Sequence, residues 1–327
     1  MRSTALLLPL LLLCACSSLS SEEQGLLASY QQRALTFFEG NRMNQAWGQI
    51  EKGLELAPDD YKLNALKGCV LLRQSGDATS TDHRMLDEAT ALLTQVYGER
   101  SPSRHEPYLL LNYGLALQKQ GRRHLGESIR LNGQATRTPE PLVAAGLREQ
   151  ADGEIGQAKA LLDQAASQFD VLIERGELPR IAHNHRMQIA RDQGDDERFV
   201  KEAGEYLKHC RLAQDVTKKR IDETPSVPYE LEQMQWLEKL QAEELEVRGL
   251  IAQFHYERKN FQPALEQLNR VLELDPRRFP DYYNRGRVLL ELGRLENAQA
   301  DMRKFLADPT LPSTSDKATF AVKVLGK

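Results

Sequence analysis

The sequence predicts an all-α protein, built as a solenoid of consecutive helical hairpins. Its 327 residues are 41% hydrophobic and 28% charged but only 6% aromatic, a composition typical of helices rather than sheets. Near the C-terminus a period of 34 residues separates Ala252 from Gly286 and Ala264 from Ala298. A period of this length is typical of stacked helical hairpins. Such a chain extends its core along one axis, so its length does not require several globular domains.

An apolar segment opens the chain and ends in two cysteines. Arg2 precedes an apolar run over 5–13, about half of the ~20 residues that a transmembrane helix needs. A positive residue, an apolar run and a small residue before Cys16 are typical of a signal peptide. We therefore expect residues 1–15 to be removed.

The residues LCAC at 13–16 resemble the lipobox of bacterial lipoproteins. The resemblance implies that Cys16 is acylated, with palmitate or a similar chain, and becomes the mature N-terminus, while Cys14 leaves with the peptide. It also implies the periplasmic face of the outer membrane, because Ser17 stands where an aspartate would retain the protein at the inner membrane. The alternative is ordinary cleavage that releases a secreted protein.

The C-terminal period carries the features of a known repeat family. A large apolar residue, Leu268 or Met302, follows the small residues of each unit, and an Asp-Pro pair closes it. Small residues let two helix axes approach closely, and proline ends the second helix. This pattern resembles the tetratricopeptide repeat (TPR) over 245–310, with Gly293 at a turn between helices. The same spacing recurs over 34–58.

The repeat pattern weakens in the middle of the chain. Helices are predicted over 61–74 and 86–96, joined by a polar insert longer than the tight turn of the family. Another unit starts over 108–120, and its second helix is poor because Gly126 occupies a position where alanine is usual. Residues 139–196 are predicted to form degenerate helical repeats.

Two long apolar stripes exceed the length of a repeat helix. One includes Phe199 and Cys210, and the other begins at Leu231 after a segment with two prolines. Because proline interrupts a helix, we predict a long helical hairpin over about 197–258. Two interpretations stay open: a projecting interaction arm, or two oversized solenoid helices.

The chain thus divides into seven segments, the last of them a helix capped at Ser315 or Asp316. They are a lipoprotein signal peptide (1–15), a short tether (16–22), N-terminal TPR-like repeats (23–138), degenerate helical repeats (139–196), the long hairpin (197–244), a C-terminal TPR pair (245–312) and a capping helix (313–327).

The sequence offers no signature of catalysis or nucleic-acid binding. It lacks a phosphate loop, a nucleophile motif and a helical zinc-protease motif, and its net charge of −4 gives no strongly basic face. His183 and His185 point apart on a helix, so this pair makes a poor metal site. Cys69 and Cys210 are expected to be buried thiols, with a disulfide as the alternative. We expect no enzyme, no cofactor and no metal.

The TPR resemblance also implies a binding surface. In this family particular positions of each first helix line the concave face, and here they are Gln253, Tyr256, Tyr283 and Arg287. Asn284 matches one position of the clamp that binds C-terminal carboxylates in some members, whereas Gly249 stands where that clamp needs lysine. Phenols, an amide and a guanidinium suit an extended peptide or a carboxylate.

These observations predict a non-catalytic scaffold or adaptor, anchored in the outer membrane by lipid. It would bind proteins or peptides of the cell envelope through its concave surface, and no nucleic acid. The alternative function, from another class, is a periplasmic ligand-binding component that holds a small hydrophobic molecule for a transporter.

Overall fold

The described part of the chain is helical apart from turns and loops. The computed structural model describes residues 19–76, 83–98, 106–223, 227–312 and 314–326. Within these residues it contains thirteen α-helices and no strand, so the predicted all-α class is confirmed. The helices are α1 (Ser21–Glu39), α2 (Met43–Leu56), α3 (Tyr61–Gln74), α4 (Arg84–Gly98), α5 (Pro107–Arg137), α6 (Pro141–Glu174), α7 (Pro179–Gln193), α8 (Asp196–Glu223), α9 (Val227–Glu257), α10 (Phe261–Leu274), α11 (Phe279–Glu291), α12 (Leu295–Leu306) and α13 (Asp316–Leu325).

Several predicted features lie outside the described residues. They are the signal segment with Cys16, most of the polar insert between α3 and α4, and the turn between α8 and α9. Among the helices that are described, none combines the length and the apolar character needed to cross a membrane.

Contacts divide the chain into two compact units, Met1–Leu161 and Leu162–Lys327, with the boundary inside α6. In the first unit α1 packs on α2, and α3 packs on both α4 and α5. The start of α1 is fixed by a capping box, in which the Ser20 hydroxyl accepts from the Glu23 amide and the Glu23 carboxylate accepts from the Ser20 amide. The helix predicted over 61–74 is α3, and Asp60 caps it by accepting from the Leu63 amide at 2.9 Å.

The unit predicted to start over 108–120 is a single helix instead. The 31 residues of α5 run through Gly121 and Gly126 without a turn, which corrects the predicted two-helix repeat. One interior glycine costs a helix only about 1 kcal/mol, and no proline follows to interrupt the hydrogen-bond ladder. The next helix, α6, is also continuous over 34 residues. Long single helices therefore replace hairpins in this stretch.

The second unit contains the predicted long hairpin, formed by α8 with 28 residues and α9 with 31. Its base packs on α7 around a core that includes Phe199, Cys210, Leu240 and Phe254. Toward the turn, large apolar side chains are exposed: Leu212, Val216, Leu231 and Met234. Both interpretations of this hairpin, an interaction arm and two oversized solenoid helices, stay open.

The C-terminal repeats continue directly from that hairpin, because α9 is also the first helix of the pair α9 and α10. The next pair, α11 and α12, turns at Gly293, whose φ of +71° lies in the left-handed region that favours glycine. The predicted capping helix is α13, and Ser315 caps it by accepting from the Ala318 amide at 3.2 Å. It packs on α12.

The two cysteines that remain after the expected processing are buried. Cys69 lies in the first unit and Cys210 in the second, and both are free thiols. Burial raises the pKa of each thiol, so both stay protonated and unreactive at neutral pH. Neither thiol therefore forms the disulfide that was the alternative prediction.

Candidate binding groove between α9 and α11

A groove of about 670 Å³ lies between the first helices of the two C-terminal pairs. Residues of α9 and α11 form most of its walls, and two further residues complete the lining. The lining residues are Glu246, Gly249, Leu250, Ala252, Gln253, Tyr256 and Glu257 of α9, Asn284, Arg287 and Val288 of α11, Arg278 before α11, and Leu268 of α10.

Small residues at the helix crossings position these walls. Ala252, Ala264 and Ala298 are buried, as the 34-residue period predicts. A Cβ atom on Gly286 would lie 2.8 Å from the Met302 side chain, so α11 and α12 approach closely at that point. The small face of each helix is thereby used for packing, and the longer side chains of α9 and α11 are left to face the groove.

Arg287 and Tyr256 form the central contact of the groove. The Arg287 Nη2 donates to the Tyr256 hydroxyl at 2.8 Å, and its guanidinium carbon lies 4.7 Å from the centre of the tyrosine ring. Phe261 packs edge-on against the same ring, with centres 5.7 Å apart. No carboxylate of the described residues lies within 4 Å of Arg287. Tyr256 therefore holds this guanidinium in place, and no N–H donor of Arg287 pairs with a carboxylate of the described residues.

The charges of the groove are divided between its walls. Glu246 and Glu257 lie on α9, and Arg278 and Arg287 lie on the side of α11. Arg278 is neutralised by Asp281, whose carboxylate accepts from its Nε at 2.6 Å and from the Asn284 amide at 3.2 Å. Gln253 donates to Glu257 at 2.8 Å. One wall is thus acidic, and the opposite wall presents Arg287, which pairs with no carboxylate in the described part of the chain.

Four of the five residues predicted to bind a partner line this groove: Gln253, Tyr256, Asn284 and Arg287. The prediction for Tyr283 is corrected, because only 8% of its surface is exposed. Its ring packs against Phe305 and Phe320, with centres 5.1 and 5.8 Å apart. The capping helix α13 supplies Phe320 and so covers the face that Tyr283 would otherwise present.

The sequence prediction missed other lining residues. Glu246 and Leu250 lie on the same face of α9 as Gln253 and Glu257, and a helical period of 3.6 could have identified them. Arg278 precedes α11 and carries no periodic signal. Gly249 leaves the clamp position without a lysine, so the complete carboxylate clamp of some TPR proteins is not present.

Comparisons with known proteins agree with the helical repeat. Residues 282–307, which include most of α11, the turn after it and all of α12, match the family model described as tetratricopeptide repeat, so the chain carries this repeat there. No curated protein matches the sequence significantly.

Solved structures of helical proteins are similar to the chain at low identity. The assembly chaperone of RpL4 (residues 1–338) is 12% identical, with 92% of this chain and 96% of that chain covered and a TM-score of 0.40. A thermophilic TPR protein of Thermus thermophilus is 14% identical, with 93% and 100% covered and a TM-score of 0.30. A tetratricopeptide repeat protein from Parabacteroides merdae ATCC 43184 is 15% identical, with 93% of this chain and 100% of that chain covered and a TM-score of 0.32. None of these likenesses bears on function.

Proposed function

We propose that the chain is a non-catalytic scaffold that binds an extended segment of a partner protein in the groove between α9 and α11. The observation that carries this proposal is Arg287, which Tyr256 holds in the groove without a carboxylate partner among the described residues. A guanidinium forms its strongest hydrogen bonds with carboxylates, often as a bidentate pair. The partner segment would therefore place an Asp, a Glu or a terminal carboxylate against Arg287.

The rest of the groove defines the remainder of that segment. Leu250 is partly exposed and offers apolar surface in the groove, and Glu246 and Glu257 line the same wall. An apolar side chain of the partner would bury surface against Leu250, and a Lys or Arg of the partner would face the acidic wall. The charged rim suits such a mixed peptide better than a purely hydrophobic small molecule, which is the alternative function.

Replacing Arg287 by alanine is expected to weaken partner binding by about 1.5–3 kcal/mol, which is roughly ten- to 150-fold in Kd. Tyr256→Phe should weaken it less, because it removes only the hydroxyl that orients the guanidinium. The measurement is in-cell crosslinking from a photoreactive residue at Gln253, followed by mass spectrometry and by titration of the partner peptide that this identifies.

The matched controls lie on α10, outside the groove. Arg270→Ala removes an exposed arginine that pairs with Glu273 at 3.1 Å, and a photoreactive residue at Gln262 samples an exposed position of the same helix. If the Arg287→Ala variant keeps its helicity and binds the partner as tightly as the Arg270→Ala variant does, the binding site lies elsewhere. The exposed end of the α8–α9 hairpin would then be tested next.

We further propose that the scaffold is anchored by acylated Cys16 at the periplasmic face of the outer membrane, where its partners would be envelope proteins. The support is the lipobox-like sequence at 13–16. Two or more acyl chains hold a protein at a membrane essentially permanently, whereas one chain holds it weakly. Because α1 begins at Ser21, residues 17–20 would span at most about 13 Å. The helical body would then stay close to the membrane.

Replacing Cys16 by serine is expected to abolish labelling with a palmitate analogue and to move the protein from the membrane fraction to the soluble fraction. Cys14→Ser is the matched control, because that residue would leave with the signal peptide, and it should keep both label and location. Continued membrane attachment of the Cys16→Ser variant would refute the lipid anchor. The proposal of a peptide-binding groove does not depend on this result.

A further inference from the structure

Three potential metal ligands converge between α7 and α8, far from the groove residues in sequence. They are His183 of α7 with Glu205 and His209 of α8, and one ligand atom from each lies within 4.8 Å of the others. Glu205 and His209 are four residues apart and so share a face of α8. The imidazole rings of His183 and His209 are nearly parallel, with an interplanar angle of 17° and centres 5.4 Å apart.

A buried carboxylate fixes the orientation of His183. Its Nδ1 lies 2.7 Å from the Oε2 of Glu202, and only 4% of the surface of Glu202 is exposed. The other Glu202 oxygen accepts from the Nη2 of Arg186 at 3.3 Å, so the carboxylate itself is held and charged. With Nδ1–H donating to Glu202, the His183 Nε2 carries the lone pair. In metal sites a ligating histidine is typically oriented in this way by a carboxylate on its other nitrogen.

The cluster is also reachable from solvent. Glu205 and His209 are partly exposed, whereas His183 is buried behind them. Glu205 pairs with Lys208 at 3.1 Å, but 70% of that lysine side chain is exposed. An exposed pair of this kind contributes little, so a cation can replace Lys208 at small cost. A metal ion therefore has a path of entry and a carboxylate that is available to it.

We propose that His183, Glu205 and His209 form a binding site for a divalent transition-metal ion of the zinc type. Two imidazole nitrogens and one carboxylate oxygen favour such an ion over magnesium or calcium, which prefer oxygen ligands. Ligand atoms around a tetrahedral zinc ion lie roughly 3.3 Å apart, so side-chain movements of about 1 Å close the site. Three protein ligands leave a fourth position for water. Glu202 is a positioning residue, since it acts through His183.

Neither histidine signals this site in the sequence. The sequence prediction was that His183 and His185 point apart on a helix, and in the structure His185 packs on Phe169, with ring centres 5.0 Å apart. The second imidazole comes from His209, on the next helix. Bound metal would connect α7 to α8 near the base of the long hairpin, and so stabilise that connection by mass action.

The test is a metal titration of the purified, untagged chain after treatment with a chelator. We expect one Zn²⁺ per chain, measured by competition with a chromophoric chelator, and absorption bands of tetrahedral Co²⁺ when cobalt is used. His209→Ala should lower the affinity at least about 100-fold, and Glu205→Gln and Glu202→Gln about 10- to 100-fold. Excess Mg²⁺ should not compete.

His185→Gln is the matched control, and it should bind Zn²⁺ as the unchanged chain does. Far-UV circular dichroism of each metal-free variant checks folding, and Glu205→Gln carries the test if His209→Ala fails to fold, because Glu205 is partly exposed. Absence of stoichiometric Zn²⁺ binding, or equal affinity in the unchanged chain and the ligand variants, would overturn the site. Neither outcome would affect the proposed peptide groove.

Discussion

Replacing Glu244 by alanine is expected to lower the free energy of unfolding by about 3–5 kcal/mol, because it leaves the buried guanidinium of Arg248 without its carboxylate partner. Only 3% of the surface of Glu244 is exposed, and its carboxylate accepts from Arg248 at 2.8 and 3.0 Å and from Gln214 at 2.9 Å. Arg248 also donates to Gln267 of α10 at 2.9 Å. This network therefore joins both helices of the long hairpin to the first C-terminal repeat. Urea unfolding followed by circular dichroism measures the loss.

Two further variants distinguish the effect of the unpaired buried charge from the effect of lost side-chain packing. Glu246→Ala, two residues away on the exposed face of α9, should change stability by less than about 0.5 kcal/mol. Methionine at both Glu244 and Arg248 should cost less than Glu244→Ala alone, because no unpaired charge then stays buried. A double variant as unstable as Glu244→Ala would mean that packing, and not the unpaired cation, determines the loss.

The same network makes stability depend on pH. Burial opposes ionisation of Glu244, but hydrogen bonds from Arg248 and Gln214 outweigh it, and the pKa of this carboxyl is lowered. A group with a lowered pKa stabilises the fold above its ordinary pKa of 4.5, and the contribution is lost as the pH falls through the lower value of the folded state. The contribution of this network to stability is therefore complete at neutral pH and declines as the pH falls below 4.5.

The sequence predicted best the segments in which packing follows a strict period. Ala252, Ala264 and Ala298 are small because helices cross at those positions, so the 34-residue spacing identified α9 to α12 before any contact was known. No such signal marks the continuity of α5. A glycine such as Gly121 can end a helix or lie within one, and tertiary packing decides between the two.

The candidate sites likewise contain some residues that the repeat period predicts and others that only tertiary packing brings together. Tyr256 and Arg287 occupy repeat positions that face the groove, and their position alone was sufficient to find them. Tyr283 occupies the repeat position of Gly249 but is covered by Phe320, 37 residues later in the chain. His183 meets His209 only because α7 packs on α8. Contacts between separate helices leave no trace in the spacing of residues along one helix.

Replacing Phe199 by alanine is expected to lower the free energy of unfolding by about 3–5 kcal/mol, which is typical of a buried phenylalanine. Only 1% of its surface is exposed, and its ring stacks on that of Phe254 with centres 4.3 Å apart. Arg258 covers the Phe254 ring, with its guanidinium carbon 3.8 Å from the ring centre, and pairs with Asp196 at the start of α8. The stack thus joins the start of α8 to the end of α9.

The matched control is Leu212→Ala on the same helix, where 59% of the side chain is exposed and the expected change is within about 0.5 kcal/mol. Phe199→Leu should lie between the two, because it retains most of the apolar volume. Because Tyr256 lies two residues beyond Phe254 on α9, Phe199→Ala should also loosen the groove, which hydrogen exchange of the α9 amides measures. Normal exchange in α9 together with the full loss of stability would show that the groove is held by α10 and α11 alone.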